Sequence, residues 1–303
     1  MPEYTLEKGY TVGIQGELKS QWLQKILETL KFVIDFCDKN NIRYYGCAGT
    51  VIGAIRHNGM IPWDDDIDLM MPRRDYEVFI KKFSEIKNSH YSLVVPEIES
   101  DYYLMFAKVF FNRSTLLERK DLKYLIGPFV DIFPVDGCPD DDTLTNKLFD
   151  KYHKYCGYWS SATTYWDNKE YKKCISSFRF KHIVKHIFFH VFKRSIKKIM
   201  LSKTKQIESL YDYDTSNKVI TWCGQNRIGK EIHQKEWMGR GTKVKFEDIM
   251  LNVPTNYDAY LKCMYGDYMK LPPKEDQVSH HYVAYLNMDK RESLKEVMNK
   301  IEK

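Results

Sequence analysis

Four aspartates fall within five positions, Asp64, Asp65, Asp66 and Asp68, inside the stretch GTVIGAIRHNGMIPWDDDIDLMMPRRDY from Gly49 to Tyr76. A solvated acidic run would have polar neighbours, but here Ile67, Leu69 and Met70 lie among or just after the acids. Read as a strand over 64–71, side chains alternate faces, so Asp64, Asp66 and Asp68 share one face while Ile67 and Leu69 enter a core on the other. Three carboxylates on one face repel, and a hard divalent cation holds them together. Mg2+, or Mn2+, takes such oxygens and shares them with substrate phosphates. An EF-hand loop is excluded, because Leu69 stands where the loop needs Gly and Asp75 where it needs Glu. Asp65 falls on the opposite face and is left with a structural role.

The upstream half of the stretch has what a phosphate needs. Gly49-Thr50, between a strand and a short helix, is expected to aim backbone N–H groups at an anion. Arg56 and His57, near the end of that helix, can reach a phosphate. Together these residues describe a site for a metal-bound phosphoanhydride.

The elements that must position them follow from periodicity. Apolar residues at Leu18, Trp22, Ile26, Leu27, Leu30, Val33, Ile34 and Cys37 predict an amphipathic helix over 17–39. A strand is expected over 42–47, a short helix capped by Thr50 through 57, a strand over 64–71 after Pro62, and a helix over 74–83. Further strands are expected over 91–95, 103–111 and 129–133, and beyond Asp140 the chain reads as mainly helical. The expected fold is α/β (α+β): a mixed sheet flanked by helices over 1–140, and a mainly helical region over 141–303 packed on it, with the boundary near 138–145.

The stretch Gly49–Tyr76 resembles the signature of the LicD/fukutin family, G-T-x-L-G-x-x-R-H-x-G-x-I-P-W-D-D-D-x-D, with Ile52 in place of the usual Leu. The resemblance implies a nucleotidyltransferase-like fold, with D-x-D on one strand and a third carboxylate from a later one. GPFVDIFPVDG, from Gly127 to Gly137, offers Asp131 in that role. An Asp set between Val130, Ile132 and Phe133 is costly to bury unpaired, so it calls for a metal or a positive partner. Asp136, before Gly137, reads instead as a turn residue. FAKVFFNRSTLLE resembles the family's K-x-x-x-x-[ST]-T region and implies Lys108 as a phosphate contact. FEDIMLNVPTNYDAYLKCMYGDYMKLPP, from Phe246 to Pro273, resembles the family's C-terminal block, where Tyr257, Tyr260, Tyr265 and Asp267 serve either packing or substrate. His280 and His281 follow that block and are candidates to approach the cleft.

The family resemblance implies metal-dependent transfer of a phospho-substituted group from a CDP-activated donor to a sugar hydroxyl. The bacterial members suggest phosphocholine from CDP-choline, delivered to a lipopolysaccharide or teichoic acid precursor. The metal would be bound by Asp66, Asp68 and Asp131. Asp64 either completes that shell or takes the acceptor proton. Another CDP-linked polyol phosphate, ribitol or glycerol, and nucleotidyl transfer remain as alternatives. A pseudoenzyme is disfavoured by the intact acidic set.

Bulk properties fit this reading. The chain has 303 residues, 43% apolar and 15% aromatic, with 22 tyrosines, as expected of a folded protein. The seven cysteines form no CxxC pair and read as reduced thiols. Neither a secretion signal nor a membrane span is visible, so a cytoplasmic location is expected. The net charge of +6 is uneven, because residues 179–205 hold nine Lys/Arg and no acid. Within that segment Phe180, Ile183, Val184, Ile187, Phe188 and Val191 recur at helical spacing. Two readings of this helix remain open: one that packs on the core, and one lying on an anionic membrane beside a lipid-linked glycan acceptor. His182, His186 and His190 share a face and read as polar-face residues, not metal ligands. Nucleic-acid binding is disfavoured, since the rest of the chain is acidic and carries no recognition motif.

Overall fold

In the computed structural model, residues 14, 16–87, 89–224, 226, 228–279 and 283–301 are described. The first half runs α1 (Gly16–Asn40), β1 (Tyr45–Gly46), α2 (Ala48–Ile52), a π-helical turn (Gly53–His57), β2 (Asp68–Pro72), α3 (Arg73–Ser84), β3 (Tyr91–Val94), β4 (Ala107–Phe111), β5 (Thr115–Leu117) and β6 (Phe129–Cys138). The second half runs α4 (Asp142–Thr163), α5 (Asn168–Ser176), α6 (Phe180–Val191), α7 (Lys193–Glu208), β7 (Lys218–Ile220), β8 (Ile232–Gln234), α8 (Lys235–Met238), β9 (Thr242–Phe246), β10 (Ile249–Val253), α9 (Tyr257–Tyr265), β11 (Tyr285–Asn287) and α10 (Leu294–Ile301).

The sheet is mixed, in the order β1-β2-β6-β4-β3, with β7 paired to β6 and β8 to β7. β2 and β6 are parallel, and β4 is antiparallel to β6. The α/β expectation therefore holds, and the second half is mainly helical. That half also contributes five short strands, two of them (β7 and β8) to the central sheet. Short strands of three to five residues carry too few alternating positions to stand out from helical periodicity.

The predicted long helix is present. It buries Trp22, Ile26, Leu30, Val33, Ile34 and Cys37 against the sheet, the i, i+4, i+7 stripe of an amphipathic surface helix. The main core also takes in Val219, Met238, Phe246, Leu251, Tyr260 and Met264 from the second half. A second cluster under α4 and α7 centres on Phe149, Tyr152, Trp159, Ile207 and Trp222.

Two expectations change. The acidic strand begins only at Asp68; a turn at Pro62-Trp63 is followed by an irregular lead-in over 64–67, so the strand does not reach back to Asp64. Asp136 is not in a turn. β6 continues through Cys138, and the buried Asp136 carboxylate accepts two 2.7 Å bonds from Arg73 at the start of α3. Arg73 also lies 3.4 Å from Glu208 of α7, whose other oxygen accepts from Tyr152. This buried network joins β6 and α3 to the second cluster. A bidentate partner is what makes an acid in mid-strand tolerable.

The basic segment folds as α6 and α7, with its apolar stripe turned outward. Phe180 is 53% exposed, Val184 67%, Ile187 49%, Phe188 52% and Val191 70%. Of the face read as polar, His182 is exposed but the rest is packed: His186 is buried, stacked on Trp166 at 4.3 Å, and His190 lies 4.1 Å from His186 and 4.8 Å from Tyr165. Burial pushes His186 down to about 4, so it is neutral and behaves as an aromatic packing residue. Among the described residues no helix is long and apolar enough to cross a membrane. All seven cysteines are free thiols.

Candidate metal centre

The centre is assembled by strand register. Asp68 of β2 lies directly beside Asp131 of β6, and Asp131 lies directly beside Lys108 of β4. Cross-strand neighbours project on the same face, so three consecutive strands set two carboxylates and an ammonium side by side. The Asp131 N–H donates to the Ile67 carbonyl at 2.9 Å, which fixes the strand just before Asp68. Asp66, in the lead-in, completes the group: Asp66, Asp68 and Asp131 each offer an oxygen within 4.8 Å of the others. Three hard oxygen donors converging on one point suit Mg2+ or Mn2+. Burial pushes Asp131 up to about 6 against the pull of Lys108, and the Asp66 charge pushes the same way. A cation seated among these oxygens would relieve that crowding.

Asp64 belongs to a different grouping, with Asp65 and Asp66, and Asp66 is common to both. Its Oδ1 accepts the Asp65 N–H at 3.1 Å. Asp65 is buried, its carboxylate accepts the Ser279 hydroxyl, and its carbonyl accepts Trp22 Nε1 at 2.7 Å. Asp65 therefore anchors the acidic turn to α1 and to the C-terminal segment, in keeping with the structural role expected of it.

The residues expected to contact phosphate are arranged differently. The Thr50 N–H donates to the Cys47 carbonyl at 3.1 Å, and the Thr50 hydroxyl accepts the Asp68 N–H at 2.8 Å. Thr50 thus holds the metal strand to α2, and its amide is used inside the helix's first turn. Gly49 is needed for close approach: a Cβ there would lie 3.0 Å from Asp64 Oδ2. Thr50 does not cap α2; the cap position is Cys47, followed by Ala48 in the left-handed region at φ +48°. That strained residue donates its N–H to the Tyr260 hydroxyl oxygen at 3.1 Å.

Arg56 donates to the carbonyls of Tyr268 at 2.7 Å and Lys270 at 3.3 Å, and to His57 Nε2 at 2.9 Å. It clasps the C-terminal block to the π-helical turn, and its guanidinium lies 5.9 Å from the Trp63 ring centre. Burial and the neighbouring Arg56 hold His57 below the usual imidazole range. Lys108 is fully enclosed. Its Nζ lies 2.9 Å from Asp131 and 3.4 Å from Glu118, and 3.4 Å from the centre of the Phe129 ring. These carboxylates hold its pKa above the usual range in spite of burial. Lys108 is the positive partner that Asp131 required, and its ammonium is spent on protein carboxylates. His280 and His281 lie outside the described residues.

A cavity of about 220 Å³ opens on the centre. Asp66, Asp68 and Asp131 line it, whereas among the described residues Arg56, His57 and Lys108 do not. Much of the remaining lining comes from the second half: Thr221, Asn226, Glu231, His233, Tyr260 and Met264. Glu231 immediately precedes β8 and His233 lies within it, and both line the cavity. Sequence reasoning missed both. The only available signal was the E-I-H alternation in a short strand, and that strand itself went unrecognised. Tyr260 serves both packing and the cavity, being buried in the core and part of the lining.

Comparison with known proteins follows the same residues. The model of the family LicD/FKTN/FKRP, nucleotidyltransferase domain, matches residues 41–164, which span the acidic signature and Asp131. Lipopolysaccharide cholinephosphotransferase LicD of Haemophilus influenzae is 32% identical over 260 residues, covering 84% of this chain and 92% of that protein. Ribitol 5-phosphate transferase FKRP, from Homo sapiens and from Mus musculus, is 38% identical over 47 residues, or 16% of this chain and 10% of that protein.

Proposed function

The chain belongs to the LicD/FKTN/FKRP family, and from that premise we propose that it is a transferase moving phosphocholine from CDP-choline to a sugar hydroxyl of a lipid-linked surface glycan. The observation that carries the reading is the convergence of Asp66, Asp68 and Asp131 in the lining of one cavity. These three residues would hold a divalent cation, which when bound offsets the charge of the donor pyrophosphate and of the departing CMP. In the reaction the acceptor oxygen forms a bond to the choline-bearing phosphorus, and the bridging P–O bond to CMP breaks. CMP leaves with the bridging oxygen, and the hydroxyl proton passes to a base.

The protein's own contribution is positioning. Thr50 fixes the strand that bears Asp68, Lys108 keeps Asp131 in place, and the Asp65 anchor sets the turn that bears Asp66. Asp64, grouped with Asp66 and half-buried, would either complete the cation's shell or take the acceptor proton. The test is CMP release from CDP-choline with Mg2+. Asp66→Ala and Asp68→Ala should abolish release while circular dichroism and melting stay near wild type. Undiminished release from chelator-treated enzyme would refute the metal requirement, and release of pyrophosphate from a nucleoside triphosphate would support nucleotidyl transfer instead.

The acceptor is met at a membrane surface. The apolar stripe of α6 faces outward beside Lys181 and Lys185, in a segment with no acid. A second copy of the chain is a poor occupant of this face, because Lys181 and Lys185 of each copy would meet beside the stripe with no acid in the segment to pair them. An anionic leaflet fits both the apolar stripe and the charge, with each basic residue near the surface contributing about 1 kcal/mol. On this reading the protein is peripheral, on the cytoplasmic side.

A further inference from the structure

The cavity lining has a second acidic feature that the metal centre does not use. Glu231 is 4% exposed, and its Oε1 accepts the Asn226 N–H at 2.9 Å. Gly224 packs so closely on it that a Cβ would lie 2.1 Å from Oε2, so any side chain there would displace the carboxylate. Among the described residues no ion pair reaches Glu231. Burial raises Glu231 above the usual carboxylate range, against the Asn226 hydrogen bonds and the charge of Lys230, and a buried carboxylate is costly unless it is paired. An arriving cation would offset that cost.

The groups around it say what kind of cation. Phe106 and Phe133 lie with ring centres 4.2 Å apart, and with Tyr260 and Met264 they line the same cavity as Glu231. Aromatic faces beside a carboxylate attract a soft, weakly hydrated cation. Phe106, Phe133 and Met264 give that part of the wall no strong hydrogen-bond acceptor for a primary ammonium or for hydroxyls, so it suits a cation that carries methyl groups. His233 is also in the lining, 4% exposed, and its Nδ1 has no partner among the described residues. Burial pushes it down to about 4, so it is neutral and does not oppose a cation.

We propose that Glu231, with Phe106, Phe133 and Tyr260, forms a subsite for the quaternary ammonium of the transferred headgroup, and that His233 presents its free nitrogen to a ligand oxygen. This rests on the phosphocholine reading and adds to it the residues that select choline over ribitol or glycerol.

The experiment uses the full chain with MgCl2 and three ligands: CDP-choline, its neutral analogue with carbon in place of nitrogen (the 3,3-dimethylbutyl ester), and CDP. Affinities come from calorimetry, and KM and kcat from CMP release. Glu231→Gln should weaken CDP-choline at least tenfold, mainly in KM, and leave CDP and the neutral analogue unchanged. Phe133→Leu, at a half-exposed position, should weaken CDP-choline in the same selective way, so the outcome does not depend on one variant folding. Equal losses for all three ligands, or no loss for CDP-choline in a wild type that turns it over, would overturn the subsite alone. A wild type that releases CMP from CDP-ribitol or CDP-glycerol but not from CDP-choline would overturn the phosphocholine reading and the subsite with it.

Discussion

Replacing Lys108 by Met should show whether this lysine is an internal counter-ion or a phosphate contact. Its ammonium is 2.9 Å from Asp131 and 3.4 Å from Glu118, with almost no exposure to water. At an effective dielectric of about 20 the nearer contact alone represents about 6 kcal/mol of gross attraction. Desolvation of both partners offsets much of that, and loss of one partner of a buried pair typically costs about 3–5 kcal/mol because the other charge is left unpaired. Met keeps the volume and the contact with Phe129, so Lys108→Met isolates the charge. Urea unfolding should show a loss of about 3–5 kcal/mol relative to wild type. The double variant Lys108→Met/Asp131→Asn should lose less than the single one, since it removes one of the stranded carboxylates. A lysine that served the donor phosphate would behave in the opposite way, with unchanged stability and a raised KM. A loss below about 1 kcal/mol in the single variant, or no relief in the double, would refute the counter-ion reasoning.

Three further outcomes follow from the same geometry. Thr50→Val removes the acceptor for the Asp68 N–H, so stability should fall by about 1 kcal/mol in urea unfolding and kcat should fall with KM unchanged. His233 has its pKa depressed from 6.5 to about 4 by burial, so the unfolded chain binds a proton first as pH falls: its contribution is complete above pH 6.5, and about 2 kcal/mol is lost between pH 7 and 5, measured as unfolding free energy and flattened in His233→Gln. Ile187→Asp with Val184→Asp, both on the exposed stripe of α6, should abolish co-sedimentation with anionic liposomes without altering CMP release from CDP-choline with a soluble acceptor, and retained sedimentation would refute the membrane face.

Much of the site was legible in the chain itself. Ile67 and Leu69 among aspartates announce a strand buried on one side, and both are fully buried. The i, i+4, i+7 stripe of α1 and the apolar flanks of Asp131 are likewise local patterns, set by the periods of helix and strand, and they needed no knowledge of neighbours. The roles of Arg56, Thr50 and Lys108 were not legible, because a cation or hydroxyl beside a phosphate and one beside a carbonyl or carboxylate have the same local sequence. Arg56 meets Tyr268 and Lys270 more than two hundred positions away, and Lys108 meets Asp131 only through the β4–β6 register. The helix over 180–191 was read correctly as amphipathic, yet periodicity says nothing about which face meets the protein. Trp166 and Tyr165, brought close by the fold, take the histidine side and leave the apolar stripe outside.

The sequence by itself therefore determined the chemistry available: a carboxylate set, the strand that presents it and the family to which it belongs. The tertiary structure alone decided which carboxylates converge, which cation compensates Asp131, and that Glu231 and His233 share the aspartates' cavity. The physical reason is range. Propensity and alternation act over a few residues, whereas charge pairing and desolvation depend on distances that only sheet register and packing fix.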